Sequence, residues 1–270
     1  MRPGTVVTAT PTAGVSGEYP VRVTTLSSSA DAMAVDTSSD GGIERLEAVL
    51  FDMDGTLIDS EPMWWAAMER VAEQLGGTLT RELLESTTGL SIPSSVAMLL
   101  EHIGSDHDPT AAEALLLTMT GELFAEEVRW QPGADELIDG IREAGLKVAL
   151  VTNSPRSVVD LALGLLGDHR FDVTVAGDEV ANGKPDPEPY LLAVDSLGLA
   201  PGACLAVEDS LSGTESAIAA GVAVLVVPSG VEVPDGPGRI FAASLLGATV
   251  AELRHIHREF RRSDHRPTAG

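Results

Sequence analysis

Asp52 and Asp54 stand two apart, directly after the apolar run Leu46-Glu47-Ala48-Val49-Leu50 and Phe51 and directly before Gly55-Thr56. The run reads as a buried strand, and glycine lets the backbone turn sharply where it ends. Alternation along an extended chain points both carboxylates the same way, where a divalent cation or a reacting phosphate meets both. A calcium loop needs an acid and a glycine where Thr56 and Leu57 stand, so that rival fails. A strand ending in a polar turn remains the plainer reading of D-x-D alone.

Three later segments repeat the pattern of a strand or turn ending in polar residues. Leu146 to Ser154 closes on Thr152-Asn153-Ser154, which also suits a helix N-cap before Pro155. Gly183-Lys184-Pro185-Asp186-Pro187-Glu188 carries one of only two lysines in the chain, the other being Lys147. That scarcity weakens the view of Lys184 as one more solvated surface charge. Ala203 to Ser210 ends in Glu208-Asp209, a pair of acids that by itself fits a capped helix start as well as a metal site.

Taken in order, these four segments resemble the four motifs of the haloacid dehalogenase superfamily. The resemblance covers roughly residues 45 to 230. It implies that Asp52 is a nucleophile and that Asp54 shuttles a proton. It implies that Thr152, the Asn153 backbone and Lys184 bind the transferring phosphoryl group. Magnesium would then sit among the Asp52 carboxylate, the Asp54 backbone carbonyl, Asp209 and Glu208. The expected activity is a Mg2+-dependent phosphatase acting on small phosphate monoesters through an aspartyl-phosphate.

Composition narrows the setting. The chain has 270 residues, 44% of them hydrophobic, enough for one good core and a smaller module. Its formal charge of −24 argues against nonspecific nucleic-acid binding. No apolar run is long enough to span a membrane, and the first twenty residues lack the apolar stretch of a secretory signal. The single cysteine, Cys204, excludes a disulfide scaffold and suits a reducing compartment, so a cytoplasmic enzyme is expected. An acidic protein with an anionic substrate needs local positive charge, which a cation and Lys184 would supply. Monomer and dimer stay equally open.

The elements that must position these residues alternate in type. Residues 1–44 read as an unstructured tail rich in Ser, Thr, Gly and Ala. Residues 61–131 read as helical, with Trp64, Met68, Val71 and Leu75 at three- and four-residue spacing. From 132 to 258 helices and strands alternate, and 259–270 read as a frayed tail. That rhythm predicts an α/β core, a Rossmann-like parallel sheet flanked by helices, with ligands at the carboxyl ends of the strands. The resemblance adds a strand order of 5-4-1-2-3 and makes the helical insert a cap, hinged through Ile58–Glu61 and Trp130–Pro132.

Several branches thin out. Haloacid dehalogenases lack the second acid, which is present here as Asp54. Phosphonatases need a cap lysine, and none lies between Glu61 and Gln131. The histidine and cap arginine of β-phosphoglucomutases fall at Trp64 and Ile92 when Gly89-Leu90-Ser91 is aligned. These losses favour hydrolysis over a phosphoglucomutase-like phosphoryl transfer. Asp59-Ser60-Glu61-Pro62-Met63-Trp64 is similar to a segment of bacterial sugar- and hexitol-phosphate phosphatases, so a small phosphorylated metabolite is the expected partner. Trp64 would be either an apolar wall over substrate or packing between cap and core. A catalytically idle binding protein of the same fold should have lost a motif residue, and none is missing.

Overall fold

The computed structural model describes residues 23–24, 45–88, 90–229 and 232–264. The tail expected over 1–44 lies outside them apart from Val23–Thr24, a two-residue strand (β1) at the sheet edge. The remaining sheet strands are β2 (Ala48–Phe51), β5 (Lys147–Val151), β6 (Val173–Val175), β7 (Cys204–Glu208), β8 (Ala223–Val226) and β9 (Arg239–Ala242). They run parallel in the order β1-β9-β8-β7-β2-β5-β6. The expected five-strand order is therefore present, extended at one edge by β9 and β1. β9 was not expected, because four residues after a Pro- and Gly-rich stretch give no usable periodicity.

Apolar runs become central strands here because both sheet faces are covered. Along β2, Val49 and Phe51 join one buried cluster while Ala48 and Leu50 join the other. The same alternation divides Val148 and Leu150 from Ala149 and Val151 in β5. Helices α7 (Glu188–Leu197) and α8 (Leu211–Ala219) cover one face. On the other lie α5 (Ala134–Glu143), α6 (Arg156–Leu166) and α9 (Val250–Asp264).

The last helix extends past the end expected for it. It continues to Asp264 where fraying was expected from 259. Leu253, Ile256 and His257 are buried, His257 Nε2 lies 2.8 Å from the Gly202 carbonyl oxygen, and Arg261 Nε donates to that oxygen at 2.9 Å. A long-range anchor of this kind holds residues whose local sequence looks polar. Residues 265–270 lie outside the described part.

Between β3 (Ile58–Asp59) and β4 (Arg129–Trp130) the chain forms four helices: α1 (Glu61–Gln74), α2 (Arg81–Thr87), α3 (Ile92–Ile103) and α4 (Pro109–Glu127). Local chemistry sets their starts. Thr80, Ser91 and Asp108 each accept a hydrogen bond from the third residue on, satisfying an orphan amide. Prolines at the first turns of α1, α3 and α4 have no amide to lose there. Of the expected α1 stripe, Met68 and Val71 are buried, while Trp64 and Leu75 are half-buried against the same cluster. β3 and β4 pair antiparallel, Ile58 opposite Trp130, so the helical insert stands on a two-strand stalk.

Just past the stalk, Gly133 caps the start of α5 and packs on the Leu245–Leu246 backbone that follows β9. Its φ is +85°, and a Cβ there would lie 2.3 Å from the Leu245 carbonyl oxygen. Replacing it adds both a left-handed side chain and a backbone clash. Gly133→Ala should lower unfolding free energy by roughly 2 kcal/mol or more, read as a lower urea midpoint at unchanged m-value.

Candidate active site

The register of the central strands assembles the site. Phe51 pairs with Leu150 on one side and with Val207 on the other. Asp52 and Glu208 follow directly, and Thr152 comes one residue later beyond Val151, so all three emerge at the carboxyl end of the sheet. Asp52 N donates to the Val207 carbonyl at 3.0 Å, and Thr152 N donates to Val175 at 3.0 Å, so both turns are held by the ladder they leave.

Lys184 enters this cluster from the loop ahead of α7. Its ammonium donates to Asp52 Oδ1 and to Glu208 Oε1, both at 2.6 Å, and all three residues are buried. Burial alone would push the lysine toward neutrality, but the two carboxylates more than compensate and hold it charged, well above its ordinary range. The Asn153 amide fixes the approach. Lys184 N donates to Asn153 Oδ1 at 2.8 Å, and Asn153 Nδ2 donates to the Lys184 carbonyl at 3.1 Å. The Asn153 side chain is thus spent on positioning the lysine.

Glu208 is fully buried and saturated. Besides Lys184, Tyr190 Oη donates to Oε1 at 2.6 Å and Ser210 Oγ donates to Oε2 at 3.2 Å. Tyr190 comes from α7, and burial with the neighbouring Glu208 charge keeps its phenol protonated. Asp209 lies closer to solvent and accepts from Ser229 Oγ. Gly55, with φ +82°, leaves room for it: a Cβ there would lie 2.1 Å from Asp209 Oδ2.

Asp54 is tied separately. Ser60 Oγ donates to Oδ1 at 2.6 Å, Ser154 Oγ to Oδ2 at 2.7 Å, and the Trp64 indole N–H reaches Oδ1 at 3.4 Å. Trp64 lines the cleft and also contacts the second acid, which neither sequence reading of it included. Ser60, Ser154, Tyr190 and Ser229 were likewise not singled out; only the adjacency of Ser60 and Ser154 to motif residues hints at them. Thr152 Oγ1 accepts from Ser154 N at 3.0 Å, shaping the same loop.

Asp52, Glu208 and Asp209 offer oxygen atoms within 4.8 Å of one another. Three carboxylates face one ammonium, so two negative charges remain to be offset. Carboxylate oxygens and that excess charge suit a hard divalent cation. Burial and the neighbouring Glu208 and Asp209 charges push Asp52 well above the usual carboxylate range, against the pull of Lys184. Burial and Glu208 likewise raise Asp209 to about 7. Asp52, Asp54, Asp209, the motif lysine, Thr152 and Asn153 all line one cleft of about 440 Å³, roofed by α1, α2 and α3, with Glu208 buried behind them.

The sequence matches the haloacid dehalogenase-like hydrolases over residues 49–227. The chain belongs to that family. It is 35% identical over 178 residues to a phosphorylated carbohydrates phosphatase of Thermotoga maritima, covering 66% of this chain and 82% of that protein. It is 33% identical over 190 residues to hexitol phosphatase A of Escherichia coli, covering 70% and 87%. Among solved structures, CbbY from Rhodobacter sphaeroides in complex with phosphate superposes with a TM-score of 0.70 at 29% identity, over 77% of this chain and 99% of that one. Among the described residues of this family member, no helix is long and apolar enough to cross a membrane.

The raised Asp209 fixes a pH dependence. Its folded value, about 7, exceeds the ordinary 3.8, so the folded state holds a proton that the unfolded chain releases. In metal-free protein the contribution of Asp209 to stability should therefore fall as pH rises from 3.8 through about 7. Asp209→Asn should flatten that fall in melting temperature, and added Mg2+ should stabilise the wild type more at pH 8 than at pH 5.

Proposed function

We propose that this enzyme is a Mg2+-dependent phosphatase that hydrolyses small phosphate monoesters, sugar or sugar-alcohol phosphates first among them. The observation that carries the reading is the buried Lys184 ammonium on Asp52, beside Glu208 and Asp209 and below a roofed cleft. The names of the Thermotoga and Escherichia relatives support the substrate class. The single, buried cysteine suits a cytoplasmic setting.

Phosphate monoesters resist anionic attack because of their own charge, so catalysis is mainly positioning and charge neutralisation. In our assignment an Asp52 oxygen forms a bond to phosphorus as the bond from phosphorus to the leaving oxygen breaks. Asp54, held toward the cleft by Ser60 and Ser154, gives its proton to the departing alkoxide. Water then attacks the aspartyl-phosphate while Asp54 takes a proton back, and inorganic phosphate leaves with Asp52 restored. Thr152, the Asn153 backbone and Lys184 hold the remaining phosphoryl oxygens through both halves.

Bound magnesium would neutralise charge on the phosphoryl group and on Asp52. We assign it to the Asp52 and Asp209 carboxylates and the Asp54 backbone carbonyl. Glu208, with both oxygens already accepting hydrogen bonds, serves mainly to hold Lys184 and is the weakest of the four assigned ligands. A mutase reading would need the substrate to keep a second phosphate in place, and Trp64 and Ile92 give such a group no cation.

Asp52→Asn keeps the shape and removes the nucleophile. It should lower phosphate release by about a thousandfold or more while the protein stays folded by circular dichroism. Wild-type turnover in that variant would sink the assignment.

A further inference from the structure

The cleft has two unlike ends. At the sheet end stands Lys184, the one basic side chain lining the cleft among the described residues. The same lining carries Asp59, Glu61 and Glu215, the hydroxyls of Thr88 and Ser95, and the apolar Ile92. Glu61 does not swing freely. Thr88 Oγ1, at the end of α2, donates to Glu61 Oε1 at 2.7 Å and ties the acid across from the first turn of α1. Glu61 is half-buried, so its charge is less screened than that of an open surface acid.

Resting on the phosphatase reading, we propose that Glu61 makes this a single-anion site: it accepts esters whose leaving group is a neutral polyhydroxyl chain and rejects those carrying a second anionic group. The phosphoryl group is neutralised at one end by Lys184 and the cation. A carboxylate or second phosphate on the leaving group would enter a region where the charged side chains among the described lining residues, Lys184 apart, are negative. Arg81 lies outside that lining, stacked on Trp65 and paired with Glu85. Like charges at close range in a protein cleft repel by an amount equivalent to about tenfold or more in affinity. The chain's overall charge of −24 adds a repulsive field of the same sign. Hydroxyl groups, by contrast, find acceptors in the Glu61 carboxylate and in Thr88, whose own proton is held by Glu61, and both a donor and an acceptor in Ser95.

A matched pair of esters tests this: glucitol 6-phosphate and gluconate 6-phosphate, which differ only in a hydroxymethyl against a carboxylate at the far end. Wild-type kcat/KM should favour the neutral ester by about tenfold or more. Glu61→Gln, nearly isosteric and still able to accept from Thr88, should narrow that ratio several-fold, and Glu61→Lys should reverse it. An equal ratio in the wild type, or a ratio that neither substitution moves, would overturn the proposal. If neither ester releases phosphate, the hydrolase reading fails by itself. Calorimetric binding of both esters to Mg2+-loaded Asp52→Asn then decides the charge question. Tighter binding of the neutral ester upholds the single-anion site, and equal binding or none refutes it.

Discussion

The ammonium of Lys184 between Asp52 and Glu208 is the constraint on which the site turns. Bringing a lysine and two carboxylates out of water costs several kcal/mol per ion unless their pairing is close and their remaining valences are filled. Here the pairing distances are 2.6 Å, Tyr190 and Ser210 fill the remaining acceptor sites of Glu208, and Asn153 fixes the Lys184 backbone. Removing the lysine would leave buried carboxylates facing one another, whereas removing one acid leaves the other still paired. The arrangement is therefore asymmetric: the cluster depends more on the buried Lys184 than on any one acid around it.

That cluster exists only because four distant segments end at one edge of one sheet. Lys184 and Asp52 are 132 residues apart in sequence, and Lys184 and Glu208 are 24 apart. Parallel pairing on both sides of β2 brings the ends together, and the crossover helices α5 to α8 keep both faces dry. Central strand position and catalytic position are one requirement seen twice. A strand buried on both faces can project polar groups only where it ends.

Legibility in the sequence follows the same division. Elements defined by an apolar run followed by polar residues, such as Ala48–Phe51 into Asp52 or Cys204–Glu208, could be read locally, as could helices with Thr80, Ser91 and Asp108 as caps. β9 could not, because Arg239–Ala242 follows turn-rich sequence and is a strand only through its pairing with β8. The end of α9 could not, because His257 and Arg261 find their acceptor at Gly202 more than fifty residues earlier. The residues that tune the site were hidden for the same reason. Ser154 meets Asp54 across 100 residues, and Tyr190 meets Glu208 across 18. Residue type announces a donor but not its acceptor.

The two acids of the first motif have opposite environments, which suits the separate duties proposed for them. Asp52 is locked to a buried lysine within the sheet's end and answers to the core. Asp54 accepts from three different elements: Ser154 on the loop after β5, Ser60 at the stalk, and Trp64 on α1. The Trp64 contact, at 3.4 Å, is the longest of the three and the first to weaken if α1 tilts away from the sheet. Glu61 lies on the same helix, three residues earlier, tied to Thr88 of the cap. A displacement of α1 that loosens the roof over the cleft therefore also alters the donor set of Asp54 and withdraws the acid that screens the leaving group. On the proposed assignment, water exclusion, proton transfer and substrate choice are joined through one helix, while Asp52 beneath it stays fixed by the Lys184 charge.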